Sequence, residues 1–379
     1  MRPPRSLLEL TTPAPLVDLD RLAHNLDRMA AYAAVHGLAL RPHVKTHKST
    51  RIAAEQLRLG ATGLTCATPR ELEVMSALAD DLLFAHPPIG RAKLARLVMV
   101  PSDVRLTVTV DAAAQVEALA DAARQAEREV GVYVEVDLGM HRVGVTTAEE
   151  AVALAGMVAM HPPLRYAGIA FYPGHIRQPM DEQDASLERL ECDLAQLLQA
   201  LDRAKLAPRV VSGGSTPAGF RMHEVAGITE VRPGTYVYND RVTAELGACG
   251  WEDCAFTVLA TVVSTAVPGQ AVIDAGSKAL GREPMRAGAR GASVAGGTGA
   301  EEGEGFGVLF DRPSVRVTRM SEEHGILDLR DSSWKPEVGE LVRVIPNHVC
   351  VAVHLNDTMY GLRNDEVVET SWPVEARGR

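Results

Sequence analysis

The sequence predicts an α/β fold, a (β/α)8 TIM-type barrel followed by a mostly β C-terminal domain. From residue 38 to about residue 235, short runs with β propensity alternate with longer stretches of helical periodicity. Eight runs alternate in this way, and eight parallel strands are the number that closes a barrel. After residue 245 the helical stretches almost disappear, which marks the change to the second domain.

The eight predicted barrel strands are short runs with β propensity. They cover residues 38–44, 62–67, 81–86, 105–110, 131–137, 166–171, 209–214 and 231–236. Between them, stretches such as 69–80, 112–128 and 183–204 place apolar side chains at helical spacing. A doubly wound open sheet would show the same alternation, so it stays the alternative fold.

The predicted domain boundary divides the chain into a barrel domain, residues 1–245, and a β-rich domain, residues 246–379. Strand-like runs in the second part include CAFTVLATVVST, QAVIDAG, SVRVTRM and LVRVIPNHV. Between two of these runs, residues 282–306 are rich in glycine and charge and carry few apolar side chains. We therefore expect a mobile loop there.

Composition and charge exclude several classes of partner. The net charge of -10 argues against nucleic acid or an anionic membrane, because both favour basic surfaces. The chain shows no signal peptide at its start and no apolar run long enough to cross a bilayer. Its 5 cysteines are scattered and odd in number, which is typical of reduced thiols. We expect a cytoplasmic protein with a small-molecule substrate.

Lys45 follows the first predicted strand, at the point where that strand runs into its loop. Active sites of such barrels are built at this carboxyl end of the strands. Partial burial there lowers the pKa of an amine and allows it to attack a carbonyl carbon. His43 and His47 flank the lysine, and each is a candidate proton carrier. The alternative is a surface lysine paired with an acid, between two hydrogen-bonded histidines.

A turn of small residues, VSGGSTPAG at 211–219, follows the seventh predicted strand. Backbone amides can approach an anion closely at Gly214, and Ser215 and Thr216 can donate hydroxyl hydrogen bonds. Barrels often bind phosphate in the loops after their last two strands. The alternative is an ordinary tight connection between a strand and the next element.

Arg142 lies in VDLGMHRVGV, which begins at the end of the fifth predicted strand. A side chain at this position points toward the same carboxyl edge of the barrel as Lys45. The arginine is therefore a candidate functional residue at the mouth of the barrel. The alternative is a salt bridge on the rim of the barrel.

His348 and Cys350 form a His-x-Cys pair within PNHVC of the second domain. On an extended segment both side chains would share one face, because side chains alternate with a period of two. Imidazole and thiolate together suit zinc or a similar divalent metal, and two protein ligands leave positions open for catalysis. The alternative is a packed strand that contains a cysteine by chance.

An ordered series of motifs resembles one known family along nearly the whole chain. The motifs are TPAPLVDLD (12–20), RPHVKTHK (41–48), DLGMHRVGV (137–145), SGGSTPAG (212–219), EVRPGTYVYND (230–240), VIDAGSK (272–278), EEHG (322–325) and PNHVC (346–350). They resemble the D-threonine aldolase/D-serine dehydratase family, a group of fold-type III pyridoxal-phosphate enzymes related to alanine racemase.

The resemblance implies a pyridoxal phosphate site on the barrel. Lys45 is similar to the lysine that carries the cofactor covalently, and Arg142 to the arginine at its phenolic oxygen. The residues matching the phosphate-binding part are Gly214, Ser215, Thr216, Gly234 and Tyr236.

The resemblance also implies residues for the substrate and for a metal. Tyr172 and His175, in FYPGH, are similar to residues that face the cofactor and the substrate. His348 and Cys350 match a pair that binds a divalent metal, zinc or manganese. The expected catalytic residues are Lys45, His175 and His43, with the last two as candidate bases.

The implied reaction acts on a D-β-hydroxy amino acid. We expect a D-threonine aldolase, because FYPGH is similar to the aldolase form of this segment. The alternative is a dehydratase of D-serine or D-3-hydroxyaspartate, because the His-x-Cys pair is similar to that of dehydratases.

Two other classes of protein are less favoured. A non-catalytic cofactor carrier of this kind lacks a β domain. A racemase needs a tyrosine on the second face of the substrate, and this sequence does not evidently match one. By analogy we expect a homodimer.

Overall fold

A computed structural model describes residues 5–285, 305–365 and 367–379. Most of the glycine-rich segment 282–306 therefore lies outside the described residues. The chain forms two compact units. The barrel unit comprises Asp27–Ile176, Asp181–Gly234 and Ala376–Arg379, and the β unit comprises Met1–Leu26, Arg177–Met180 and Thr235–Glu375.

The barrel unit contains eight parallel strands within residues 39–231, all of which the structure describes. The strands are Ala39–Leu40, Leu64–Cys66, Asp81–Phe84, Arg105–Val110, Val130–Glu135, Leu164–Ala170, Val210–Gly213 and Glu230–Val231. From the second strand onward each pairs with the next along the chain, and the last pairs with the first. A parallel bridge between His43 and Thr65 joins the first strand segment to the second. The pairing confirms the predicted barrel in preference to an open sheet.

One helix precedes the first barrel strand, and the others lie between successive strands up to the seventh, with apolar side chains buried on one face. The helices are Leu19–Val35, Thr50–Arg58, Pro69–Met75, Arg91–Val98, Ala113–Gln125, Ala148–Ala159 and Asp184–Arg203. In the last of these, the buried residues recur every three or four positions: Leu187, Leu190, Leu194, Leu197 and Leu201. Each such leucine contributes roughly 1.5–3 kcal/mol when it leaves water, so this face holds the helix in place.

The β unit confirms the predicted mostly β texture of the C-terminal half. Its described strands are Ala14–Asp18, Phe256–Ser264, Gln270–Ile273, Gly307–Leu309, Val317–Met320, Gly325–Asp328, Leu341–Pro346, Thr358–Arg363 and Val367–Pro373. The described helices within residues 235–375 are short: Arg241–Glu245, Ser277–Leu280 and Val349–His354, besides two single 3-10 turns.

The first strand, Ala14–Asp18, belongs to the β unit although it lies at the start of the chain. It pairs antiparallel with Phe256–Ser264 and parallel with Thr358–Arg363. These partners are more than two hundred residues away, so no local pattern announces the pairing. The domain boundary between residues 245 and 246 stays a prediction. In the described part of the chain, no helix is long and apolar enough to cross a membrane.

Candidate active site

Lys45 lies in a tight turn directly after the first barrel strand, at the carboxyl edge of the sheet. The Lys48 amide donates to the Val44 carbonyl over 2.8 Å and closes the turn. The Val44 amide donates to the Thr65 carbonyl over 2.9 Å and fastens the turn to the neighbouring strand. The turn therefore presents Lys45 from a backbone that is fixed on two sides.

Tyr172 is close to two cations that follow different strands of the barrel. The Arg142 guanidinium carbon is 4.8 Å from the centre of the Tyr172 ring, and the Lys45 ammonium nitrogen is 5.7 Å from the same point. A cation over an aromatic face is stabilised by the negative ring face. The structure thus brings together three residues that the sequence predicted for one site.

The turn after Val210–Gly213 contains two buried hydroxyl groups. Ser215 is 2% and Thr216 is 5% exposed, and neither hydroxyl has a hydrogen-bond partner among the described residues. Gly214 adopts a φ of 111°, which is in the left-handed region that side-chain-bearing residues disfavour. Buried donors of this kind usually serve a ligand or water. The turn therefore fits a bound phosphate group.

Gly234 lies against the turn that carries Lys45. A Cβ atom at position 234 would come within 2.9 Å of the Thr46 hydroxyl and 3.2 Å of the His43 carbonyl oxygen. A side chain at this position would therefore require the Thr46 hydroxyl and the turn to move. Tyr236 is 3% exposed and lies in a single 3-10 turn of the β unit. A role for Tyr236 at the phosphate stays a prediction.

His43 accepts a hydrogen bond from the Lys45 amide through Nδ1, over 3.4 Å. Burial lowers the pKa of its imidazole well below the usual value, and the positive charges of Lys45 and Arg232 lower it further. His43 is therefore neutral near neutral pH.

His175 packs against the loop that carries Arg142. A Cβ atom on Gly139 would lie 2.9 Å from the His175 ring, so this glycine leaves room for the imidazole. Partial burial lowers the pKa of His175, and Asp137 raises it only in part. The His175 imidazole is therefore largely neutral at pH 7, as a general base must be.

Two buried charged residues at this edge were missed at the level of sequence. Arg232 donates to the Ser212 hydroxyl and, over 2.9 Å, to the Phe171 carbonyl oxygen. Glu135 is 9% exposed, and burial raises the pKa of its carboxyl group although Arg232 and Arg142 oppose that shift. The sequence does contain a signal for Glu135, because this charged residue ends the otherwise apolar strand VGVYVE.

His348 and Cys350 lie in the β unit, but not on the extended segment that we predicted. The strand ends at Pro346, and helix Val349–His354 begins just after His348. The side chains of the pair are nevertheless hydrogen-bonded to each other. His348 has extended backbone angles, with a φ of -138° and a ψ of 114°, directly before the helix that carries Cys350, so the pairing does not depend on alternation along a strand.

Asp240 is a third residue at the His348 pair, and it was not predicted. Its Oδ2 atom is 3.0 Å from Nδ1 of His348. Burial alone lowers the pKa of His348, but Cys350 and Asp240 outweigh burial and raise it to about 10. An imidazole nitrogen that has given up its proton and a thiolate sulfur are ligand types suited to zinc or a similar divalent metal. Within the described ranges, no group of three or more His, Cys, Asp or Glu side chains is arranged to hold a metal.

Two family profiles match the chain in succession. The profile described as alanine racemase, N-terminal domain, matches residues 17–242. The profile described as a putative serine dehydratase domain matches residues 255–362. Together they follow the order in which the barrel and the β strands occur.

Individual relatives match over nearly the full length. D-threo-3-hydroxyaspartate dehydratase of Delftia sp. is 33% identical over 96% of this chain and 97% of its own length. The crystal structure of D-threonine aldolase from Filomicrobium marinum superposes with a TM-score of 0.86 at 34% identity, covering 100% of this chain and 99% of that one. A cysteine-to-alanine variant of a D-threo-3-hydroxyaspartate dehydratase, solved in a metal-free form, superposes with a TM-score of 0.86 at 31% identity, covering 99% and 100%.

Proposed function

Because the chain belongs to the D-threonine aldolase/D-serine dehydratase family of pyridoxal-phosphate enzymes, we propose that it is a metal-dependent lyase acting on D-β-hydroxy amino acids. The specific reaction we propose is cleavage of D-threonine to glycine and acetaldehyde. The observation that supports it most is the meeting of Lys45, Arg142 and Tyr172 at the carboxyl edge of the barrel.

The barrel residues would hold the cofactor at both of its ends. Lys45 would bind it covalently through its amine, and Arg142 would contact its phenolic oxygen. Gly214, Ser215 and Thr216 would bind the phosphate with two hydroxyls that have no partner among the described residues. Gly234 and Tyr236 would complete the phosphate side. When bound, pyridoxal phosphate withdraws electrons from the substrate's Cα atom and so weakens its bonds.

A neutral imidazole would remove the proton from the substrate's β-hydroxyl group. As that proton leaves, the Cα–Cβ bond breaks and the β carbon departs as an aldehyde, while the Cα electrons are later quenched by a proton to give glycine. His175 is our first candidate for this base, because burial lowers its pKa and the group stays unprotonated. His43 is the second candidate for the same reason.

His348 and Cys350 would hold a divalent metal, zinc or manganese. Such a metal supplies Lewis-acid chemistry, which lowers the pKa of a hydroxyl group bound to it. A structure of a D-threo-3-hydroxyaspartate dehydratase variant described as a metal-free form supports metal binding among the relatives.

A second candidate reaction is dehydration of D-serine or D-3-hydroxyaspartate to ammonia and a keto acid. The His348–Cys350 pair favours it, since the relative of 33% identity is a dehydratase and the His-x-Cys pattern is similar to that of dehydratases. In this reaction the Lys45 amine would take the α-proton, and the β-hydroxyl would leave as hydroxide.

One assay separates the two reactions. The purified protein is incubated with D-threonine, pyridoxal phosphate and either manganese or zinc, and the products are separated. Glycine with acetaldehyde supports the aldolase, whereas ammonia with 2-oxobutyrate supports the dehydratase. The assay is repeated with D-serine and D-3-hydroxyaspartate. A Lys45→Ala variant with full activity would refute both.

The assembly and location of the protein are also proposals. By analogy with the family we propose a homodimer, which sedimentation of the purified protein would test. We propose the cytoplasm as its location, which fractionation of the source cells would test. All 5 cysteines lie in the described residues, and no disulfide bond links any of them.

A further inference from the structure

Asp240 directs its two carboxylate oxygens to two different parts of the β unit. Oδ2 accepts from the Val349 amide over 3.1 Å and lies 3.0 Å from Nδ1 of His348. Oδ1 accepts from the amide and the hydroxyl of Thr243, each over 2.9 Å. Asp240 is fully buried, so water does not compete for these contacts.

The contact with Oδ2 decides which nitrogen of His348 is open to a metal. A carboxylate can only accept, so Nδ1 of His348 must carry the shared proton. The other nitrogen, Nε2, is therefore the one that can coordinate a cation, which takes the place of its proton. The same oxygen also holds the Val349 amide, which lies between His348 and Cys350 in the chain.

We propose that Asp240 is a positioning residue for metal binding, which fixes the orientation and the proton of His348 and the start of the helix that carries Cys350. It does not touch the metal itself. The inference rests on the proposed function, because the metal at His348 and Cys350 is part of that proposal. Metal-binding histidines commonly donate a hydrogen bond from their second ring nitrogen to such a carboxylate. Loss of the carboxylate weakens metal binding about 10–100-fold.

A purely structural role of Asp240 would depend on its other carboxylate oxygen, Oδ1. Oδ1 caps the helix Arg241–Glu245 through Thr243. Asp240→Asn keeps one acceptor oxygen for this cap, but its amide group meets two donors at His348 and Val349. Asp240→Ser also keeps a cap oxygen and is too short to reach His348. Thr243→Val weakens the cap and leaves the His348 contact in place.

The test measures metal affinity and needs no turnover. The metal-stripped protein is titrated with zinc, and separately with manganese, against a chromophoric chelator. We expect Asp240→Asn and Asp240→Ser to bind zinc about 10–100-fold more weakly than the unaltered protein. Thr243→Val should lower the melting temperature but leave the affinity unchanged. Asp253→Asn is the matched control, because Asp253 is a second buried aspartate whose Oδ2 accepts from the Gly250 amide over 2.9 Å.

Three results would overturn the inference, and they are distinguishable. If both Asp240 variants bind zinc normally while His348→Ala does not, the metal site stands and the positioning role fails. If Thr243→Val weakens binding as much as Asp240→Asn, the effect is one of folding alone. If the unaltered protein binds neither metal, the metal part of the proposed function fails together with the inference.

Discussion

The Arg142 guanidinium carbon lies 4.8 Å from the centre of the Tyr172 ring, so the loop after the fifth barrel strand meets the loop after the sixth. The contact orients the guanidinium group of Arg142. This group is planar and can form two parallel hydrogen bonds to one partner, which the ammonium group of a lysine cannot do. It joins two segments that are 30 residues apart in the chain.

The first prediction concerns this pair and cofactor binding. An exposed cation–π contact contributes about 0.5–1 kcal/mol, so Tyr172→Leu should weaken pyridoxal phosphate binding only a few-fold through that contact. Arg142→Lys should weaken it more, about tenfold, if the guanidinium also binds the cofactor. Cofactor titration followed by visible absorbance measures both. Arg312→Lys, at a similar 4.7 Å pair with Trp334, is the control, and normal binding by Arg142→Lys would contradict the assignment.

The second prediction concerns the space that Gly139 leaves for His175. Gly139→Ala puts a methyl group 2.9 Å from the imidazole and should displace it. A shift of about 1 Å in a catalytic group costs about a hundredfold in rate, whereas cofactor absorbance should persist. Gly90→Ala is the control, since its φ of 99° brings similar backbone strain and nothing lies within 4 Å. If both variants lose activity equally, backbone strain explains the loss, and the prediction that His175 takes part in the reaction is contradicted.

The third prediction is that removing a hydroxyl group from the phosphate turn weakens cofactor binding without lowering the stability of the cofactor-free protein. Ser215→Ala and Thr216→Val remove buried hydroxyls that have no partner among the described residues, so the cofactor-free protein should become no less stable. Each change should weaken cofactor binding by about 1.5–3 kcal/mol, because a hydrogen bond to a charged phosphate is lost. Thermal unfolding with and without the cofactor measures both effects.

The control for the third prediction is Ser49→Ala. The Ser49 hydroxyl is also buried without a partner among the described residues, but it lies outside the phosphate turn. Its removal should leave cofactor affinity unchanged. If Ser49→Ala weakens binding as much as Ser215→Ala, the turn has no special role.

The fourth prediction concerns acid stability and the buried His47. Burial lowers the pKa of His47 from 6.5 to about 3, so the folded imidazole stays neutral in mild acid. The unfolded chain takes up the proton below about pH 6.5, and this proton uptake favours unfolding. The free energy of unfolding should therefore fall between about pH 6.5 and 3, by about 2–3 kcal/mol at about pH 4.5 from this group.

His47→Asn isolates that contribution from other titrating groups. The variant should lose less stability than the unaltered protein when urea unfolding is compared at neutral pH and at mildly acidic pH. His86→Asn, at an exposed histidine, should follow the unaltered protein. Parallel pH profiles for His47→Asn and the unaltered protein would show that His47 does not remain neutral in the fold.

Much of the barrel was readable from the sequence because its signals are local. A strand occurs at each of the eight predicted positions, since β-rich runs and helical periodicity need only neighbouring residues. The first and the eighth are shorter than predicted, because they comprise only Ala39–Leu40 and Glu230–Val231, and residues 235–237 form a 3-10 turn instead. The strand Ala14–Asp18 was not readable as part of the β unit, because its partners are distant in the chain. The helix at Val349–His354 was missed because six residues carry too little periodicity to distinguish helix from strand.

The same division holds at the candidate site. Motif order by itself determined the family and named Lys45, Arg142, Tyr172 and the hydroxyls of the phosphate turn. Only the tertiary structure decided which of these meet, because Tyr172 and Arg142 come together through strand pairing. It alone showed Asp240 behind His348, at 3.0 Å across 108 positions of the chain. The role of a buried carboxylate depends on the residues that the fold packs against it. Residues so far apart in the chain leave no local pattern in the sequence that would predict their contact.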